Sequence, residues 1–326
     1  MAMRRAATSF GNQLRSQSGI KNVAQGFVES TGATGEGFIA PFGVRHASRQ
    51  ILQQRMRSVG NIAKITAAMK MVAASRLRLA TARAQESRGM WQPMVKLLGD
   101  APDADVPKNL VVPVTSDRGL CGGINSGIAK TTLSAEAVLG EMTTAENKSI
   151  SLAVIGEKGR TQMRKALGDK YERVIVDATK IPLTFNAAGL IADDLLKTEF
   201  DAARIIYNKF KSAISFQPTL ATVLSAEVYE KRCEATGCVD EYEMEGEDRS
   251  ALLVDMAEFQ LCAVLYNGML ENSASELGSR MSAMDSSTKN ANEMLSKLTL
   301  TYNRSRQAAI TTELIEIISG AAALEG

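Results

Sequence analysis

Between Ala47 and Gln92 the chain runs without a proline, and none follows Pro218. Both stretches carry apolar or small residues at helical spacing, and these two long helices restrict the fold more than any other feature. In the first, Ser48 stands where an N-cap belongs. Leu52, Met56, Val59, Ala63, Thr66, Met69, Ala73, Leu77, Ala80 and Ala84 then follow in steps of three and four. At 1.5 Å per residue this run spans roughly 68 Å. The second pattern lasts from about Ala251 to Ala323, on the order of 110 Å of helix. Its apolar positions include Phe259, Leu261, Val264, Leu265, Met269, Leu277, Met281, Met284, Met294, Leu295, Leu298, Ile310, Leu314, Ile317 and Ile318. Gly268 and Gly278 weaken that helix without ending it. Neither helix buries its stripe alone, so pairing them is the simplest solution, antiparallel if the intervening domain sits at one end. Contacts are expected from Val59, Ile62 and Met69 to the segment between about Asn290 and Ile318.

The middle of the chain follows another rule. Asn109–Thr115, Ile150–Ile155 and Arg173–Asp177 are short β-rich runs. They alternate with helical stretches near Gly122–Leu139, Thr161–Leu167 and Ala187–Phe200, which is a βαβ rhythm. Arg204–Phe210 and Thr219–Leu224 read as two further strands. The expected fold class is α/β plus a long antiparallel coiled coil, with paired N- and C-terminal helices and a central Rossmann-like domain on a mostly parallel sheet. The expected division is 1–46 as a targeting segment, 47–100 as the first shaft helix, 101–248 as the α/β domain and 249–326 as the second shaft helix. Asp240–Asp248, with six acids in nine residues, reads as a solvated loop closing the α/β domain.

Charge and rare residues remove several chemistries. Net charge is only +2, yet the first helix carries nine cations: Arg49, Arg55, Arg57, Lys64, Lys70, Arg76, Arg78, Arg83 and Arg88. Glu86 is its one acid. A helix so charged repels itself and calls for an acidic surround, unless the face is simply solvated. The single histidine, His46, lies beside Arg45 near the start and is a poor member for a nucleophilic triad. The cysteines Cys121, Cys233, Cys238 and Cys262 make no paired C-x-x-C clusters, so no metal site is expected. Cys233 and Cys238 bracket Glu-Ala-Thr-Gly; a small disulfide or two free thiols both fit that spacing. No run approaches the length of a membrane-spanning helix.

Two glycine-bearing segments invite a nucleotide reading: Ser116–Gly123 (SDRGLCGG) and Gly156–Thr161 (GEKGRT). Neither is G-x-G-x-x-G or G-x-x-x-x-G-K-[ST], and glycines there also serve tight turns and close packing. A nucleotide-binding α/β enzyme and a nucleic-acid binder using the basic helix stand as the rival classes; the second lacks a reading module. Asp117 and Arg118 could pair with each other or meet a partner.

Residues 1 to 28 hold Arg4, Arg5, Arg15 and Lys21 and no acid, and Glu29 is the first carboxylate. Arg-rich, Ser-rich and acid-poor is the composition of an organelle transit peptide, and the apolar core of a secretory signal is missing.

Three long motifs carry a resemblance. Arg55–Val59 followed by Ile62–Arg76 (IAKITAAMKMVAASR) resembles the first helix of the γ subunits of rotary ATP synthases. SDRGLCGGIN (116–125) is similar to that family's hallmark loop, and Tyr302–Thr311 through Glu313–Ala323 to its C-terminal signature. The resemblance implies a central rotor shaft without a cofactor or nucleotide site of its own. Its implied partners are the α and β subunits of the head, the δ or ε subunits of the central stalk, and the proton-driven ring. It further implies that Lys64, Met69 and Met71 face the moving levers of β, and that Arg306, Gln307 and Thr311 meet a catch region near the shaft top. With the N-terminal composition it points to the matrix side of the mitochondrial inner membrane. The chloroplast relatives' regulatory dithiol sits in a longer insertion, absent here around Cys233 and Cys238.

Overall fold

The computed structural model describes residues 42–142, 148–178, 183–236 and 249–325. Residues 1–41 of the targeting segment, the acidic loop, Cys238 and the side chains of His46 and Cys233 lie outside these, whereas residues 42–46 already belong to the first helix. Contacts divide the chain after Gln50, and the architecture below is that of Ile51–Gly326.

Helix α1 (Phe42–Leu98) opens the described chain. It continues past Pro93, which costs one backbone hydrogen bond but does not end it. Gly99 ends it instead: at φ 78° its amide bonds back to the Val95 carbonyl at 2.9 Å, a left-handed helix stop. Next come β1 (Lys108–Pro113), α2 (Ile124–Met142), β2 (Ser149–Ile155), α3 (Glu157–Leu167) and β3 (Tyr171–Ile175). Then follow α4 (Phe185–Leu196), β4 (Ala202–Phe210), β5 (Phe216–Leu224), α5 (Ala226–Thr236) and α6 (Arg249–Glu325), a single helix of 77 residues.

The strands form one sheet in the order β3-β2-β1-β4-β5, parallel except for β5, which runs antiparallel at the edge beside β4. Pro218 falls within β5, where an edge strand can spare an N–H. Central β1 reads Leu-Val-Val because both its faces are buried. On one face Leu110, Val112, Ile205 and Tyr207 pack against Ala188 and Leu195 of α4 and Leu261, Leu265 and Met269 of α6. On the other, Val111, Leu152 and Ile206 pack against Ile128 of α2 and Met163 of α3. Arg204 is buried within β4, its guanidinium donating to Asn109 Oδ1 at 2.8 Å and to the Pro102 and Ala104 carbonyls at 2.7 Å. Burial pushes its pKa down.

The two long helices pair antiparallel. Thr66 Oγ1 lies 2.7 Å from Thr288 Oγ1, Lys70 Nζ 2.6 Å from Asp285 Oδ1, and Ser87 Oγ 3.0 Å from Asn267 Oδ1. As one number rises the other falls, nearly one for one. Ala84 packs with Leu270 and Ala274 in the same register. In α1 the residues withdrawn from solvent include Leu52, Met56, Val59, Ala63, Thr66, Lys70, Ala73, Leu77, Ala80, Ala84, Ser87 and Trp91. Those steps alternate four and three without a break, the heptad of a left-handed coiled coil. The expected stripe differs at one place: Lys70 occupies the heptad position, with Met69 half-buried beside it. Ile62 falls off the seam and is 51% exposed. The seam of α6 runs through Met281, Met284, Thr288, Ala291, Leu295, Leu298 and Tyr302. Met294, Ile310, Leu314, Ile317 and Ile318, expected on that stripe, lie outside it and are exposed.

Candidate functional site: the shaft surface and its collar

Where α6 passes the sheet, polar bonds root it. Glu271, almost wholly buried, accepts Arg88 Nε at 2.6 Å and Arg88 Nη2 at 3.1 Å, a two-pronged pair between the shaft helices. The same carboxylate accepts the Phe210 amide at 2.7 Å, and Arg88 Nη2 donates to the Phe210 carbonyl at 3.0 Å. One ion pair thus joins α1, α6 and the end of β4. The hydrogen bond that Arg88 donates to Glu271 is the main reason the Arg88 pKa is raised. Nearby, Asn208 Nδ2 donates to Asn272 Oδ1 at 3.0 Å and Ser275 Oγ to the Asn208 carbonyl at 3.0 Å. Gly268 and Gly278 sit where α6 comes closest: a Cβ would meet the Tyr207 ring at 3.3 Å and the Ala213 carbonyl at 3.0 Å. Burial lifts the Tyr207 phenol to about 12.

The second fastening is the loop 116–125. Asn125 holds it: its Oδ1 accepts the Ser116 amide at 3.1 Å and its Nδ2 donates to Ser116 Oγ at 2.8 Å. The loop then meets α6, where Ser279 Oγ donates to the Cys121 carbonyl at 2.5 Å and Arg280 Nη2 to the Gly119 carbonyl at 3.3 Å. Arg280 also pairs with Glu276 at 2.5 Å, and burial pushes the Glu276 carboxyl pKa up in spite of that partner. Asp117 serves the backbone: Oδ1 accepts the Glu157 amide at 3.2 Å and the Asp177 amide at 3.1 Å. Arg118 is exposed, and with Leu120 it lines a groove of about 500 Å³ whose other walls include Met69, Val72 and Leu277.

The glycines of GEKGRT serve packing. Gly156 has φ 101°, and a Cβ on Gly159 would fall 2.5 Å from Thr115 Oγ1. The first amides of α3 are engaged by the chain itself: Glu157 by Asp117, Lys158 by the Ser116 carbonyl, Gly159 by Thr115 Oγ1. A helix start so occupied has no donors left for a phosphate.

Of the nine cations on α1, Lys70 and Arg88 are paired with α6, while Arg55, Arg57, Lys64, Arg76, Arg78 and Arg83 are exposed. Lys289 first, then Lys70, hold the Asp285 carboxyl down at about 2. A depressed carboxylate keeps its tie above the ordinary aspartate range and loses it as pH falls through about 2. Of the residues singled out in the sequence, Lys64 and Met71 are exposed, and Met69 is half-buried in the groove with Leu277. Arg306, Gln307 and Thr311 are exposed on α6, roughly 40 Å up the helix from Arg280. They form a surface far from the collar rather than one site. Cys121 and Cys262 are buried free thiols. Among the described residues no acid, histidine and cysteine cluster could hold a metal, and no helix is long and apolar enough to cross a membrane.

A two-helix shaft rooted in a small α/β domain by a polar collar defines a stalk-type protein. Residues 48–324 match the ATP synthase family model. The mitochondrial ATP synthase subunit gamma of Ipomoea batatas is 52% identical over 289 residues, 87% of each chain. The ATP synthase gamma chain of Paracoccus denitrificans is 41% identical over 293 residues, covering 84% of this chain and 98% of that one. A chain in the cryo-EM structure of the Euglena gracilis mitochondrial ATP synthase shares the fold at TM-score 0.73 and 22% identity, over 86% of this chain and 95% of that one. The chain belongs to the gamma subunit family of the ATP synthases, complexes that make ATP.

Proposed function

We propose that this chain is the central rotor shaft of a proton-translocating ATP synthase. It couples turning of the membrane ring to conformational change in the catalytic β subunits and performs no catalysis itself. The observation that carries this reading is the bare upper shaft: Ile315, Ile317 and Leu324 are 56%, 72% and 90% exposed on a helix whose lower part is buried. Apolar surface on that scale calls for a surrounding partner. The cations of α1 suit an acidic lining, and each exposed contact contributes only about 1 kcal/mol, enough to favour an angle without fixing it. Lys64, Met69 and Met71 face the β levers, and Arg306, Gln307 and Thr311 the catch near the top; Arg118 is the outward-facing contact of the collar loop, which Asp117 braces from within. The δ or ε subunit and the membrane ring hold the foot. Residues 1–46 act as a transit peptide to the mitochondrial matrix, where the chain works peripherally at the inner membrane.

Rotation of a bead fixed to the α/β domain, in a head of α, β and this chain driven by ATP, tests the reading directly. A head that hydrolyses ATP with its shaft still overturns it. Met69→Lys, which adds a charge beside the groove, is expected to leave hydrolysis running while proton pumping per ATP falls. An unchanged pumping ratio refutes the placement of Met69.

A further inference from the structure

The lower end of α6 carries a second kind of surface, roughly 95 Å along the helix from Leu261 to Glu325. There a cavity of about 230 Å³ opens between the end of α4, β5 and α6. Its walls include Leu196, Phe200, Val254 and Leu261, and its only charged lining residues are Glu199 and Glu258. The apolar walls reach solvent, Leu196 at 38% and Val254 at 42% exposed, and the apolar surface continues outside the cavity at Phe259, 43% exposed. Two cations stand nearby, Lys108 Nζ at 2.7 Å from Glu199 and Lys197 Nζ at 3.5 Å from Asp194, and both pair with acids other than Glu258. Glu227 and Asp255, next in sequence to lining residues, are exposed as well.

We infer that this cavity is a socket for one apolar side chain of a partner protein segment that carries Lys or Arg beside it. The inference rests on the rotor reading and names the chemistry of what grips the foot. Three features select such an occupant. The cavity floor is hydrocarbon, so it rewards an apolar anchor. Its mouth is acidic, so it rewards a cation next to that anchor. The exposed apolar surface extends beyond the cavity to Phe259, so a small molecule would leave that ring bare whereas a protein segment covers it. The charge is opposite to that of α1. Foot and shaft therefore repel each other's partners, which separates a basic-flanked segment below from an acidic lining above.

Two variants of the whole complex test this. Ala257→Phe fills the cavity from α6, and Glu258→Lys reverses its mouth, both at partly or fully exposed positions where the fold can be verified by circular dichroism. Each is expected to loosen the chains that hold the foot about tenfold, read as their loss on dilution, because an anchor side chain is worth roughly that factor or more. A photoreactive group on Glu258→Cys should label a segment in which an apolar residue lies within a few positions of Lys or Arg. Unchanged retention in Ala257→Phe, or labelling confined to an acidic segment or to this chain, overturns the socket. ATP-driven rotation of the head without its foot partners is the independent arm. If that rotation is absent the rotor reading falls; if it persists while foot retention is unaffected by the variants, only the socket falls.

Discussion

Helix α6 is one uninterrupted element with two unlike halves. From Gln260 to Gly278 nearly every residue is buried, polar ones included, while from Leu300 to Leu324 apolar side chains stand in solvent. Composition does not separate the halves, since both mix aliphatic, small and polar residues. Surroundings do: the lower half has the sheet, α4 and α1 on its sides, whereas the side chains from Leu314 to Leu324 stand exposed. In the lower half Asn267, Glu271, Asn272 and Ser275 each meet a polar partner on α1 or β4. Such groups fix one position along the helix in a way apolar contacts alone do not. Among the described residues, the side-chain hydrogen bonds of the upper half stay within α6. A shaft that must be held fast at one end and slide freely at the other needs this division.

The division can be broken most severely at Glu271. Glu271→Ala leaves the Arg88 guanidinium partly buried without its carboxylate and strips the Phe210 amide of its acceptor. A loss of about 3–5 kcal/mol is expected, read by chemical denaturation of the free subunit. Arg88→Met combined with Glu271→Met should recover much of it; a single variant as stable as the parent would show that the collar is held by packing alone.

Tyr207 sharpens the same contrast by pH. Its phenol ionises near 10 when unfolded and at about 12 in the fold. The folded form therefore binds the proton more tightly, so stability holds below pH 10 and falls as pH rises to about 12, by about 2–3 kcal/mol. Tyr207→Phe should flatten that alkaline slope relative to the parent, and an identical slope in both would place the effect elsewhere.

The smallest effect on folding belongs to the upper half. Arg306→Ala with Gln307→Ala should shift stability of the free subunit by no more than about 0.5 kcal/mol, as both side chains are exposed. Assembly or rotation-coupled catalysis should weaken. An unfolded double variant whose assembled enzyme stays fully active would assign both residues to the shaft's own packing.

Much of this was readable in advance, and unevenly. The strands announced themselves through Leu-Val-Val and Val-Ile-Val runs, and α1 through its steps of three and four, because local pattern encodes them. Helix α5 was not expected: Ala226–Thr236 has no apolar period, and Tyr229 alone is buried there among the described side chains. Nor could spacing reveal that Arg88, one cation among nine, is the one tied to Glu271 far along the chain. Arg204 gave no hint of its burial beyond its place in a strand between apolar neighbours. Asp117, read as a partner contact or a pair for Arg118, spends Oδ1 on two backbone amides, an arrangement set by the meeting of three loops. Lys64, Arg306 and Gln307 were singled out through family resemblance, since helical spacing alone does not mark them as partner-facing.

The heptad seam has one mechanical consequence. A left-handed two-stranded cable responds unequally to torque of opposite hand. Turning that tightens its lay presses the helices together, and with Ala63, Ala73, Ala80 and Ala84 between them there is little side chain to compress, so the cable is stiff. Turning that loosens the lay opens the seam and puts the Thr66–Thr288 and Lys70–Asp285 bridges under tension, so the cable yields sooner. Whatever drives this chain, it stores less elastic twist in one direction than in the other.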